Sequence, residues 1–184
     1  MIKKKTVYNF FKFLEDKRGE KMPFKYKFYH FPQKVDKEEV RKKVGNLKFK
    51  LLYEPNKLTE EDLHVKGDLL LRDLPITELP NNLIVDGDLT IISTKIKKLP
   101  DDIKVGLDLF VSHTPLEHLP DNLQTTLLGC NHTNIKDVPL NLRVEQSFYC
   151  IGTPLAEKYT EEEIKKMIED KGGYVKNRVK TEWG

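Results

Sequence analysis

Two pairs of side chains in this chain of 184 residues could do chemistry, and both pairs have nearly the same spacing. Cys130 and Cys150 lie 20 residues apart, and His113 and His132 lie 19 apart. Thiols can form a disulfide, and imidazoles can bind a metal ion. The sequence has only two cysteines, and no third ligand accompanies the histidines. It therefore predicts buried, reduced cysteines with a structural role and no metal or other cofactor.

Motifs typical of catalysis do not occur in the sequence. It holds no glycine-rich phosphate loop, no G-x-S-x-G and no H-E-x-x-H. We therefore expect a protein that is not an enzyme, and no small-molecule substrate is evident. No apolar run approaches the roughly 20 residues that cross a bilayer, and charges interrupt the apolar stretch near the start. The expectation is a soluble protein in the reducing cytoplasm, with no membrane partner and no secretion signal.

A third group of candidate residues combines basic and aromatic side chains near the start of the chain. The stretch PFKYKFYHF alternates aromatic residues with lysines, as a strand with one basic face would. Such a module could bind nucleic acid, since aromatic rings stack on bases and basic side chains contact phosphates. The candidate contacts are Lys25, Lys27, Arg41, Lys42 and Lys43. The alternative is that the aromatic residues form the core of a small module that caps the next domain.

Composition divides the chain into three parts. Residues 1–60 carry 17 basic and 8 acidic side chains, residues 61–155 carry 8 and 14, and residues 156–184 carry 7 and 7. Eleven of the 17 aromatic residues lie before residue 61. We therefore predict a basic aromatic N-terminal module (1–60), a repeat domain (61–155) and a C-terminal helical cap (156–184).

Local patterns predict elements in the two outer parts. In the first, TVYNFFKFLEDKRG and DKEEVRKKVG are typical of helices, and NLKFKLLYE is read as a strand. In the last, TEEEIKKMIEDKGG predicts a helix with a capping box formed by Thr160 and Glu163. The stretch YVKNRV that follows is a candidate short strand.

The middle part is a repeat. LPNNLIVDGDLTIISTKIKKLP (79–100) and LPDDIKVGLDLFVSHTPLEHLP (99–120) share their ends and most apolar positions. In each copy an apolar i, i+2 pair is typical of a short strand, and the next inward positions, i+5 and i+7, indicate a corner. The Leu-Pro pair makes a second corner. Each copy is therefore one coil, and stacked coils share a core that no single coil could form.

These residues resemble leucine-rich repeats. The pattern L-x-L-x-x-T-x-L is similar to that family's L-x-L-x-x-N-x-L, and the 20-residue period with Leu-Pro resembles the short bacterial LPX type. Val85-Asp86-Gly87-Asp88-Leu89 with Thr94 looks like repeat proteins common in bacterial and phage genomes. The resemblance implies an α+β protein: a solenoid of about five coils, with a small α/β N-terminal module and a helical C-terminal cap. It also implies protein binding, including inhibition of a host protein or defence system.

Two departures from the family change the expected coil. Thr94 and its equivalents stand in the family's buried Asn column, so we expect a shallower Thr ladder that bonds backbone at the turn. A valine four residues before each strand replaces the family's leading leucine, which suggests a flatter solenoid. The threonines are Thr94, Thr114, Thr133 and Thr153, and the valines are Val65, Val85, Val105 and Val144.

The strand face of this solenoid is the predicted binding site. If the apolar pair points inward, the residues beside it form outward rows that combine apolar side chains with three stacked aspartates, which should repel one another. We expect non-enzymatic protein binding here, with Phe110 and Tyr149 as anchors. The alternatives are that the outer modules cover this face, or that the N-terminal module binds nucleic acid. The predicted partner-binding residues are Asp68, Leu70, Arg72, Asp88, Ile92, Asp108, Phe110, Tyr149 and Ile151.

Overall fold

The computed structural model describes residues 45–183 together with Glu38, Arg41 and Lys42. The chain divides into two compact units, Met1–Leu58 and Thr59–Gly184. The helix and the aromatic strand predicted within residues 1–37 lie outside the described residues, as do Lys25, Lys27 and Lys43. Glu38, Arg41 and Lys42 are helical, as the prediction for DKEEVRKKVG requires.

The first unit contains helix α1, Asn46–Tyr53, where the sequence predicted a strand. That prediction is wrong. The stretch alternates apolar residues with lysine, but it has no β-branched residue, and its leucines and lysines are good helix formers. Phe49 is buried on this helix, and its ring centroid lies 5.2 Å from that of Tyr53, one turn later.

The second unit is a solenoid of parallel two-residue strands. Strands that share a column pair in register from coil to coil, for example Leu69 with Leu89 and Leu89 with Leu109. One continuous six-stranded sheet has the order β12-β10-β8-β6-β4-β2. The strands are β1 His64–Val65, β2 Leu69–Leu70, β3 Ile84–Val85, β4 Leu89–Thr90, β5 Lys104–Val105, β6 Leu109–Phe110, β7 Gln124–Thr125, β8 Leu128–Gly129, β9 Arg143–Val144, β10 Phe148–Tyr149, β11 Tyr174–Val175 and β12 Val179–Lys180.

The other strands form two three-stranded sheets, β1-β3-β5 and β11-β9-β7, and the break falls where the repeat loses one residue. The fourth coil has Thr125-Thr126-Leu127 where the third has Val105-Gly106-Leu107-Asp108. The Thr125 hydroxyl lies 2.6 Å from the carbonyl oxygen of Leu107 and 3.0 Å from that of Leu127. A polar residue in the valine column therefore bonds carbonyl groups at the break.

The predicted inward columns form the core. Leu69, Leu89, Leu109 and Leu128 stack down one column and are at most 4% exposed. Val85, Val105 and Val144 of the valine column are also buried. A parallel-stranded repeat solenoid, the coarse form of the predicted fold, is therefore confirmed.

The C-terminal segment is only partly helical. Helix α2 spans Pro154–Lys158 and helix α3 spans Glu161–Asp170, which begins with the predicted capping box of Thr160 and Glu163. The chain then adds β11 and β12, which pair with β9 and β10. The last segment therefore extends the sheets, and α3 buries Ile164 and Ile168. Within the described part of the chain, no helix has the length and apolar character that crossing a membrane requires.

Candidate partner-binding surface

The strand face consists of the outward residues of the six-stranded sheet. Leu70 is 52% exposed, while Phe110 and Tyr149 are half-buried. The Phe110 ring leans over the next strand, because a Cβ added to Gly129 would lie 2.9 Å from its Cδ1 atom. Gly129 thus provides the floor on which this ring rests, and the face presents Leu70, Ile92, Phe110 and Tyr149 as its accessible apolar side chains.

One predicted residue of this face is not accessible. Ile151 is 6% exposed, so its expected outward exposure is corrected. The chain turns immediately after β10, and the backbone N–H of Ile151 is bonded to Asn131 Oδ1 at 2.9 Å. Arg72 is exposed and Ile92 is half-buried, as outward positions allow.

The stacked aspartates form a ladder of hydrogen bonds between coils. Oδ1 of Asp68 accepts from the backbone N–H of Asp88 at 2.9 Å, and Asp88 accepts in the same way from Asp108 at 3.0 Å. Asp108 continues the ladder to the N–H of Leu127 at 3.1 Å. Gly87 permits the first bond, because a Cβ there would lie 2.2 Å from Oδ1 of Asp68. The sequence predicted the aspartate column but not its hydrogen bonds to the next coil. The available signal was the Gly-Asp-Leu motif at the start of a strand.

The negative charges of the aspartate ladder affect the pKa of Asp108. Burial and the neighbouring charge of Asp88 raise the pKa of Asp108, while the N–H of Leu127 lowers it by a smaller amount. The expected repulsion between stacked aspartates is therefore present, but each carboxylate also satisfies a backbone donor. Since only Oδ1 makes this bond, every aspartate keeps a second carboxylate oxygen outside the ladder.

The threonine column binds backbone within each coil, as predicted. Each hydroxyl donates to the carbonyl three residues earlier, from Thr94 to Ile91 at 3.0 Å and from Thr114 to Val111 at 2.7 Å. Thr133 and Thr153 repeat the bond to Cys130 and Cys150. All four are buried, so these hydroxyl groups close the corner at one end of the strand face.

The histidine pair lies at that corner. His113 and His132 adopt left-handed backbone conformations with φ of 57° and 54°, and their rings stack with centroids 4.7 Å apart. A Cβ on Gly152 would lie 2.5 Å from Nδ1 of His132, so the glycine leaves room for the ring. Among the described residues no group of three or more His, Cys, Asp or Glu side chains could hold a metal ion.

The two cysteines are free and buried, as predicted. Burial raises the pKa of Cys150 to about 12 and raises that of Cys130 well above its ordinary value. Each thiol therefore stays protonated at neutral pH and acts as a small apolar group of the core.

The residues of the nucleic-acid alternative are mostly outside the described part of the chain. Arg41 is described, and its guanidinium lies 3.1 Å from Glu54 Oε2 and 4.7 Å from the centroid of the Phe49 ring. Arg41 is therefore engaged within its own unit. Lys42 is exposed.

A groove of about 370 Å³ lies at the Leu-Pro corner. Lys171 donates there to Asp137 and to the carbonyl of Val138, each at 2.7 Å. Burial alone would raise the pKa of Asp137, but the bond from Lys171 and the N–H of Val138 lower it overall. Leu140, on the groove wall, is 52% exposed.

The fold and this surface together define a parallel-stranded solenoid with an apolar and acidic strand face. In comparisons with known proteins, no family model, curated protein or solved structure matches the chain.

Proposed function

We propose that this chain is a non-enzymatic protein-binding module that acts through its strand face. The observation that carries the proposal is the set of accessible apolar side chains on one continuous parallel sheet: Leu70 at 52% exposure on β2, with half-buried Phe110 on β6 and Tyr149 on β10. Half-buried aromatic residues on a rigid sheet bind with little loss of side-chain entropy, which suits them as anchors. Solenoids commonly use extended faces of this kind for binding.

The aspartate row gives the partner its expected character. Asp68, Asp88 and Asp108 border the apolar residues and are fixed by their bonds to the backbone. A partner with basic residues around an apolar centre would complement them, and its association would be faster at low salt.

The class and the biological role are part of the proposal. The repeat pattern supports a leucine-rich-repeat-like solenoid, and its similarity to bacterial and phage repeat proteins supports a protein that binds and inhibits a host protein or defence system. This step is an analogy at the level of the fold.

The test compares two leucines of equal exposure. Leu70 on the strand face and Leu140 at the Leu-Pro corner are both 52% exposed. Immobilised parent, Leu140→Ala and the triple variant Leu70→Ala/Phe110→Ala/Tyr149→Ala are incubated with bacterial lysate, and retained proteins are quantified by mass spectrometry. A protein retained by the parent and by Leu140→Ala, but lost from the triple variant, supports the proposal. Equal retention by all three folded variants contradicts it.

A further inference from the structure

The strand face has a charge pattern that is complementary to itself. The outward residues of the sheet form three rows across the strands, and the first row contains the residue just before each strand. This row begins with Asp68, Asp88 and Asp108 and ends with Arg178, which precedes β12 as Asp68 precedes β2. Arg72 and Glu182 each lie two residues beyond the end of their strands, so their spacing assigns them to the first and last positions of the third row. Opposite charges therefore occupy opposite ends of the same rows.

We propose that the strand face binds a second copy of this chain, in a two-fold dimer whose axis runs parallel to the strands. This inference rests on the proposed function and names the partner of the same surface. With this axis, each row of one copy faces the same row of the second copy, and the coils of the two copies run in opposite order. The first strand of one sheet, β2, then faces the last strand of the other, β12.

The pairs that this rotation creates are complementary in charge. Asp68 faces the partner copy's Arg178, and Arg72 faces its Glu182. Each of these pairs occurs twice. All four residues are exposed, so they are accessible to a second chain. The remaining facing positions contain no two like charges, and one of them, Ile151 opposite Ile92, is buried and makes no contact. The others are Asp88 with Ser147, Asp108 with Leu127, Leu70 with Lys180, Thr90 with Tyr149, Phe110 with Gly129 and Ser112 with Asn131.

The same rotation brings apolar side chains together at the axis. Each Phe110 ring rests on Gly129 of its own copy, so the two rings meet at the axis, and half-buried Tyr149 faces the smaller Thr90. The stem of Lys180 lies opposite Leu70, where its methylene groups can cover the exposed leucine. The axis lies between β6 and β8, so the contact at the axis is apolar.

The area of the strand face determines how tightly the dimer is expected to bind. Six strands about 4.8 Å apart and three outward rows give a face of roughly 29 by 17 Å, or roughly 1,000 Å² buried in total. That is the lower limit for a specific interface, so the dimer should be weak and should weaken further at high salt.

Sedimentation of the full chain at low salt, up to roughly 100 µM, tests the proposal with a charge exchange. Arg72→Glu and Glu182→Arg should each weaken dimerisation about tenfold, because two attractive contacts become repulsive. The double variant Arg72→Glu/Glu182→Arg should return to within about threefold of the parent. The control, Lys97→Glu, has the same charge change at an exposed residue outside the sheet and should have no effect. Neither Arg72 nor Glu182 is buried, and thermal melting confirms that each variant is folded.

A cross-linking experiment tests the geometry. Arg72→Cys/Glu182→Cys should form covalent dimers with a bis-maleimide that spans the roughly 10 Å between stacked sheets. Each single cysteine variant should not, because identical positions of the two copies then lie about 24 Å apart. The two native thiols are buried and do not compete.

The proposal is overturned if the parent stays monomeric at the highest concentration, or if the double charge variant dimerises no better than the single variants. Failure of the dimer is distinguishable from failure of the binding face. A monomeric parent that still loses a different protein on Leu70→Ala/Phe110→Ala/Tyr149→Ala would keep the face and exclude the second copy as its occupant.

Discussion

At the scale of single residues, Leu107 and Leu109 are two positions apart and have opposite environments. Leu109 is fully buried between coils, whereas Leu107 is 50% exposed. Leu109→Ala should lower the free energy of unfolding by about 2–5 kcal/mol, because it removes buried apolar surface and leaves a cavity. Leu107→Ala is the matched control and should change it by about 0.5 kcal/mol or less. Urea denaturation measures both, and equal effects would contradict the assigned columns.

The buried thiols give a second prediction. Because burial raises the pKa of both Cys130 and Cys150, almost no thiolate exists at pH 8, and a reagent must also wait for local opening. A chromogenic disulfide reagent should label neither cysteine quickly in the native protein and both immediately after denaturation. Rapid native labelling would show that the core around β8 and β10 is open.

Asp108 and Asp137 should make stability depend on pH in opposite directions. The pKa of Asp108 is raised in the folded state, chiefly by burial and then by Asp88. Its contribution to the free energy of unfolding is therefore most favourable below the ordinary pKa of 3.8 and is lost as pH rises through the folded pKa. The stability of the parent relative to Asp108→Asn should therefore increase as pH falls from 7. Asparagine keeps an acceptor for the N–H of Leu127, which isolates the charge.

Asp137 is the comparison for this experiment. Its pKa is lowered overall by Lys171 and the N–H of Val138, so its contribution is present above 3.8 and is lost as pH falls through the folded pKa. The stability of the parent relative to Asp137→Asn should therefore decrease on acidification. The measurement is urea denaturation of all three proteins at several pH values. Parallel curves would contradict the assigned environments.

At the scale of elements, the structure and the sequence pattern give opposite predictions for Thr125 in the shortened fourth coil. The column holds valine in the five other coils that the strands define, so Thr125→Val restores the pattern. In the structure, however, the hydroxyl approaches the carbonyl oxygens of Leu107 and Leu127 at the break between β5 and β7. Thr125→Val should therefore lower the free energy of unfolding by about 0.5–1.5 kcal/mol, since the hydroxyl bond is lost while both carbonyl groups keep their backbone donors.

The control for Thr125 is its neighbour. Thr126 is half-buried, and its backbone N–H bonds Leu107, which a side-chain change does not remove. Thr126→Val should be nearly neutral in the same denaturation experiment. A stabilising Thr125→Val would show that apolar burial outweighs the hydroxyl bond.

The elements that the sequence predicted correctly are those with a repeated or local physical signal. The columns of Leu89 and Leu109 recur every 20 residues, and the capping box at Thr160 is a contiguous motif. Helix α1 was missed because the alternation of apolar residues with lysine has the period of a strand, while leucine and lysine favour a helix. The aspartate ladder was missed because its bonds join residues 19 or 20 apart, a pairing that depends on coil register.

At the scale of the whole molecule, β11 and β12 were predicted only as one strand candidate outside the repeat. A segment of 24 residues separates β10 from β11 and holds both helices, so the period that identified the other coils is lost. Register is nevertheless restored, with Val175 beside Val144 and Val179 beside Phe148. The addition gives the strand face its basic end, Arg178 and Lys180, which is the feature behind the proposed dimer.

A solenoid of equivalent coils should tolerate the loss of one complete coil. Deleting residues 86–105 joins Val85 to Gly106 and keeps the apolar columns in register. Because each coil contacts only its neighbours, this variant should fold cooperatively, with lower stability and a smaller urea m-value from the reduced surface. Deleting only residues 86–95 removes half a coil, places strand residues at corners and should prevent folding of this unit. Far-UV circular dichroism and urea denaturation separate the two outcomes. If the 20-residue deletion unfolds the unit as fully as the 10-residue deletion, the coils are not equivalent, and the stability of the solenoid depends on contacts specific to the second coil.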